Sequence, residues 1–136
     1  MKLKKITAVI VLLIFTSLSN AQQSLVYAHA NADFKRAKEL FTAQKYVAAQ
    51  RKFKKVYDKI NEPHSEVKMN AEYYVALCAL ELFNQDAEYL FVRFIEHHPQ
   101  SPKVRRARFQ LGQYNYRKKR WTTAIKWFEQ VDENDL

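Results

Sequence analysis

The chain has 136 residues with one glycine, three prolines, one cysteine and a formal charge of +9. A single glycine excludes the glycine-rich loops that cradle phosphates, and a single cysteine, Cys78, excludes an intrachain disulfide or a paired-cysteine site. The length is that of one domain.

Met1 to Ala21 does not read as part of that domain. Lys2, Lys4 and Lys5 precede an apolar run from Ile6 to Phe15, and a polar stretch ends at Ser19, Asn20 and Ala21. This is the layout of a secretory signal peptide with small residues before a cut after Ala21. A second possible cut follows Ala28, His29 and Ala30. The run is shorter than the roughly 20 apolar residues that cross a bilayer, so no membrane span is expected after cleavage. Removing the segment takes away three lysines and no acids, which lowers +9 to +6. For an exported chain, nucleic acid is then a poor counterpart. An acidic protein, a peptide or an anionic envelope surface is a better one. Residues 22–31 read as a linker.

From there the apolar residues recur at three-to-four spacing, as in Phe34, Ala37, Leu40 and Phe41 and again in Ala49, Phe53, Val56 and Tyr57. They predict helices over 32–44 and 46–60. Pro63 breaks the pattern, and Ser65 is placed to cap a helix over 66–83 through its hydroxyl. Asn84, Gln85 and Asp86 form a turn, and a helix over 86–97 stops ahead of Pro99. Ser101 with Pro102 is a helix start signal, followed by helices over 102–118 and 120–131. Cys78, among Ala76, Leu77, Ala79 and Leu80, reads as a buried packing residue.

These helices repeat. Tyr46, Ala49, Phe53 and Val56 are echoed by Asn84, Ala87, Phe91 and Phe94 and by Trp121, Ala124, Phe128 and Val131, the alanines lying 38 and then 37 residues apart. An upstream small residue, Ala37, Ala76 or Gly112, precedes each alanine by 11 or 12 positions. Small residues at matching places on two helices let their backbones approach closely, and a recurrence of this length marks a helical-repeat fold. The expected architecture is all-α, an antiparallel helix-pair solenoid of about three repeats over 32–61, 66–99 and 102–136.

The copies resemble tetratricopeptide repeats. Gly112, Trp121, Ala124 and Phe128 carry the likeness best; Ala37, Tyr46, Ala49 and Phe53 carry it in the first copy, and Ala76, Ala87, Phe91 and Pro99 in the second, which lacks the aromatic at Asn84 and has a turn one residue short. The handover His98, Pro99, Gln100, Ser101, Pro102 after an export signal is similar to that of cell-envelope repeat proteins of Gram-negative bacteria. The resemblance implies a non-catalytic, periplasmic or outer-membrane-associated scaffold that holds a peptide or protein partner in a concave groove. It places Lys38 and Phe41, then Asn70, Tyr73 and Leu77, then Arg106, Phe109, Gln113, Tyr116 and Arg117 along that groove. Alternatives are self-assembly through an uncapped C-terminal pair containing Trp127, Phe128 and Val131, and a basic binder of an anionic polymer through Arg105, Arg106, Arg108 and Arg117 to Arg120. The chain ends where one repeat hands over to the next, so further repeats or another subunit are expected to cover that flank.

No enzyme, cofactor or metal follows from these residues. His97 and His98 are adjacent, and on a helix their side chains diverge by about 100°, too far to share an ion. His29 and His64 are isolated. Glu81, Asp86 and Glu88 gather near a turn, where acids ordinarily serve helix starts.

Overall fold

In the computed structural model, residues 27–63 and 65–131 are described; the proposed signal peptide and the C-terminal residues 132–136 lie outside them. The described residues are all-α. Residues 27–42 form α1, followed by α2 (Tyr46–Lys59), α3 (Glu66–Glu81), α4 (Ala87–His97), α5 (Lys103–Arg117) and α6 (Trp121–Phe128). Helix α1 takes in residues 27–31, which the sequence assigns to a linker. Ala30 is fully buried there against Val56, Ile60 and Ala71.

The three pairs are closed by one device. Gln44, Phe83 and Lys119 each adopt a left-handed backbone, with φ of 58°, 55° and 59°. At each, the N–H of the left-handed residue bonds the carbonyl three back (Phe41, Leu80, Tyr116). The next N–H bonds the carbonyl five back (Leu40, Ala79, Asn115). These two hydrogen bonds satisfy helix-end carbonyls that would otherwise lack partners. In the first and third pairs an aromatic, Tyr46 or Trp121, opens the next helix two residues later; in the second, α4 opens four residues later at Ala87. The second turn, which the spacing of the small residues makes one residue short, is therefore the longest of the three between helix ends.

Helix α3 is the centre of the molecule. It packs against α2 and α4 and touches α5, and through Tyr74 it meets Phe34 and Phe41 of α1. Its buried residues, Ala71, Glu72, Tyr73, Ala76, Cys78, Ala79 and Leu80, run around the helix instead of along one stripe. One core joins α3, α4 and α5 through Leu80, Phe91, Phe94, Leu111 and Tyr114. Another joins α1, α2 and α3 through Ala37, Ala49, Phe53 and Cys78. The repeated small residues Ala37, Ala49, Ala76, Ala87 and Ala124 are all at most 1% exposed, as seam positions must be.

At Gly112 the seam is tight. A Cβ there would lie 2.4 Å from Cε1 of Phe128, so α5 and α6 approach only because the side chain is missing. Gly112→Ala is expected to destabilise the chain by about 1–2 kcal/mol. Overpacking of this kind costs about 1–3 kcal/mol, and the better helix propensity of alanine returns up to about 1 kcal/mol. Urea unfolding of the two proteins checks it; equal or greater stability of the variant would show that the seam is not tight.

Two cap expectations resolve differently. Ser101 Oγ accepts the N–H of Lys103 at 3.3 Å at the start of α5. Ser65 stands at the start of α3 in an extended conformation, and its side chain makes no cap bond. Glu88 does more than sit in a first turn. It accepts from Asn115 Nδ2 at 3.3 Å and from Arg120 at 3.1 Å, tying α4 to α5 and to the last turn.

Candidate functional site

Helix α5 buries Val104, Ala107, Leu111, Gly112, Tyr114 and Asn115 and leaves Phe109, Gln110, Gln113, Tyr116 and Arg117 on its other side. Positions spaced by three, four and seven share a helix face, so these side chains form one continuous strip. With Glu81 at the end of α3 and Phe128 at the end of α6, they line an open hollow of about 550 Å³. The size falls in the range of ligand-binding clefts.

The hollow is aromatic and carries both signs of charge. Phe109 and Phe128 meet at 5.7 Å between ring centroids, and Tyr116 meets Trp121 edge-on at 4.9 Å. Tyr116 is 59% exposed and Trp121 52%. Arg117 lies over the ring of Phe83 at 5.6 Å, and Phe83 is itself 62% exposed because its left-handed backbone at the turn directs it outward. Rigid aromatics with a planar guanidinium among them offer large contact area and directed hydrogen bonds at low entropic cost. The seven lining residues are three aromatics, two glutamines, one carboxylate and one guanidinium, a mix of flat apolar surface and directed polar groups.

The structure brings Phe109, Gln113, Tyr116 and Arg117 of the expected groove together. It does not bring the others to the same place. Tyr73 is 3% exposed and packs edge-on against Phe94 at 5.4 Å and Phe91 at 6.0 Å, so it is a core residue and not a groove residue. Its burial pushes the phenol up to about 12. Asn70 is half-buried, with its Oδ1 unpartnered. Lys38 donates to Tyr74 Oη at 2.5 Å and sits over that ring, on the wall of a separate shallow depression of α1. Phe41 is half-buried between Tyr46 and Tyr74. Arg106 is exposed but does not line the hollow. Conversely, Gln110, Glu81 and Phe128 line the hollow unannounced, and Trp121 and Phe83 flank it. Trp121 reads in sequence as the aromatic that opens a second helix, and half of that ring faces solvent.

Comparison of the chain with protein-family models, with curated proteins and with solved structures gives no match. What the hollow does therefore rests on its own geometry.

A second hollow, of about 380 Å³, lies between α2, α3 and α4 and is lined by Arg51, Lys54 and Arg93 together with Asp58, Asp86 and Tyr57. Its cations are offset by carboxylates, and Arg93 is already bonded to Glu72 at 3.1 Å. Several cations are taken up in local contacts. Arg120 pairs with Glu88, Lys59 with Asp33 at 2.8 Å, and Arg108 donates to Gln130 O.

Proposed function

We propose that the chain is an exported, non-catalytic protein-binding module built of tetratricopeptide-like helix pairs, and that the hollow on α5 receives an extended peptide segment carrying acidic groups. One observation carries the reading: Tyr116, Arg117 and Gln113 stand exposed on one face of α5 beside an aromatic depression. The threefold left-handed turn with buried alanines on both sides supports the repeat assignment. The lysine-rich apolar start of the sequence supports export to a cell envelope. Among the described residues no helix is long and apolar enough to cross a membrane.

Fluorescence anisotropy with labelled acidic ten-residue peptides containing an aromatic tests the reading. Tyr116→Ala with Arg117→Glu is expected to weaken binding by at least thirtyfold, since losing a hot-spot residue costs about 2 kcal/mol or more. Lys38→Ala is expected to leave it within twofold. Equal affinity of the double variant and the parent chain would refute the assignment.

A self-assembly reading is favoured by Ile125 of α6, which is 55% exposed next to the half-exposed Trp121. Trp127 is less suited to that role than the sequence implies, because it packs partly buried against the main core. Ile125→Glu, not a charge at Trp127, is the substitution that would turn an oligomer into a monomer without disturbing the fold. Light scattering of the two proteins decides it.

A further inference from the structure

We propose that Glu72, His97 and His98 form a binding site for a divalent transition ion of the zinc type. The expectation that adjacent histidines diverge fails for a local reason. His97 is the last residue of α4, and His98 follows it outside the helix with φ −131° and ψ 54°, since Pro99 disfavours helical geometry in the residue before it. The break turns both rings toward α3. His97 Nδ1 stands 3.1 Å from Glu72 Oε1 and His98 Nε2 stands 2.8 Å from Oε2.

Among the described residues this is the one group of three whose ligand atoms gather, all within 4.8 Å of one another. Two imidazole nitrogens and one carboxylate, with a further position open, are a donor set that zinc accepts. Imidazole directs the choice toward zinc, copper or nickel and away from magnesium and calcium, which prefer oxygen alone. Metal–ligand bonds of about 2.0–2.2 Å put tetrahedral neighbours about 3.3 Å apart. Each histidine is at or inside that distance of a different Glu72 oxygen, the three ligand atoms lie within 4.8 Å of one another, and the remaining closure is within reach of the His97 side chain, which is 50% exposed. Binding replaces the ring protons directed at Glu72.

The surroundings are built to hold the carboxylate still. Glu72 is 2% exposed, and Arg93 Nε donates to its Oε1 at 3.1 Å, the kind of outer bond that orients a ligating group. Arg93 also cancels the charge of Glu72, which sets the expected affinity in the micromolar range and not tighter. Lys68, the other cation on that side, is engaged by the Ile60 carbonyl at 2.7 Å and the ring of Tyr57 at 4.8 Å. A cavity of about 310 Å³, bounded by Tyr57, Pro63 and Lys68, adjoins the three ligands and leaves room for a fourth, a water or a partner's side chain.

Titration calorimetry of the full chain with zinc chloride tests the site, with cobalt chloride as an optical probe. One ion per chain is expected, with cobalt absorption of tetrahedral strength. His97→Ala and His98→Ala are each expected to weaken zinc binding at least tenfold, while His29→Ala and His64→Ala leave it unchanged. His97 is half-exposed, so its variant keeps the fold, and the helical signal of each variant is measured alongside. Absence of zinc binding, or binding of unchanged affinity in His97→Ala, would overturn the proposal.

Discussion

Phe53→Ala is expected to remove about 3–5 kcal/mol of stability, the loss typical of emptying a buried phenylalanine site. Phe53 is fully buried, stacks on Tyr74 at 4.9 Å with an interplanar angle of 17°, and meets Phe34 edge-on at 5.4 Å. Its ring therefore fills the junction of α1, α2 and α3, where Phe34 and Tyr74 close on it. A domain of this size has about 5–15 kcal/mol in all, so the variant is expected to be partly unfolded at 37 °C. Urea unfolding followed by circular dichroism measures it. A loss below 1 kcal/mol would mean that the first helix pair is not docked on α3 as described.

Alkali is expected to unfold the chain well before surface titration would. Burial holds the thiol of Cys78, up to about 12, with the Glu81 carboxylate acting in the same direction. Burial does the same to the phenol of Tyr73, against the opposing pull of Arg106. In the unfolded chain these groups ionise near 9.0 and 10.0. Above those values the unfolded state has given up protons that the folded state still holds, so stability falls as pH rises, beginning near 9 and continuing to about 12. Each pH unit of that interval is worth about 1.36 kcal/mol per group, so the two together remove on the order of 7 kcal/mol by pH 12. Thermal melts from pH 8 to 11.5 should show it. Cys78→Ala with Tyr73→Phe should flatten the decline, and a decline of identical slope in that variant would assign it to other groups. The same burial makes Cys78 inert to thiol reagents in the native protein.

Much of the fold is legible in the residues, because seams between helices need small side chains at fixed intervals and nothing else in the sequence produces that spacing. The repeated alanines are all buried between helices, and Gly112 lies against Phe128. The places of the closing turns are legible but their left-handed backbone is not, since those positions are held by Gln44, Phe83 and Lys119 and not by glycine or asparagine. There the hydrogen bonding of the turn outweighs the local preference of the side chain. Asn84, the residue that chemistry would nominate, sits one place later. The groove could be read on α5 but not on α3. Among the described residues nothing covers the outer side of α5, so counting along it finds Gln113, Tyr116 and Arg117 exposed. Neighbours surround the central helix, so the same count along α3 lands on Tyr73 in the core. The meeting of Glu72 with His97 and His98 depends on α4 ending at His97, an end the sequence places correctly ahead of Pro99; the direction in which that break turns His98 is not legible.

Amide chemical-shift mapping of the chain with a saturating acidic, aromatic-containing peptide tests the binding account most directly. Perturbations clustered at Phe109, Gln110, Gln113, Tyr116 and Arg117, with satellites at Phe83 and Trp121, are the predicted result. Perturbations confined to the Arg51, Lys54 and Arg93 hollow, or none at all, would contradict it.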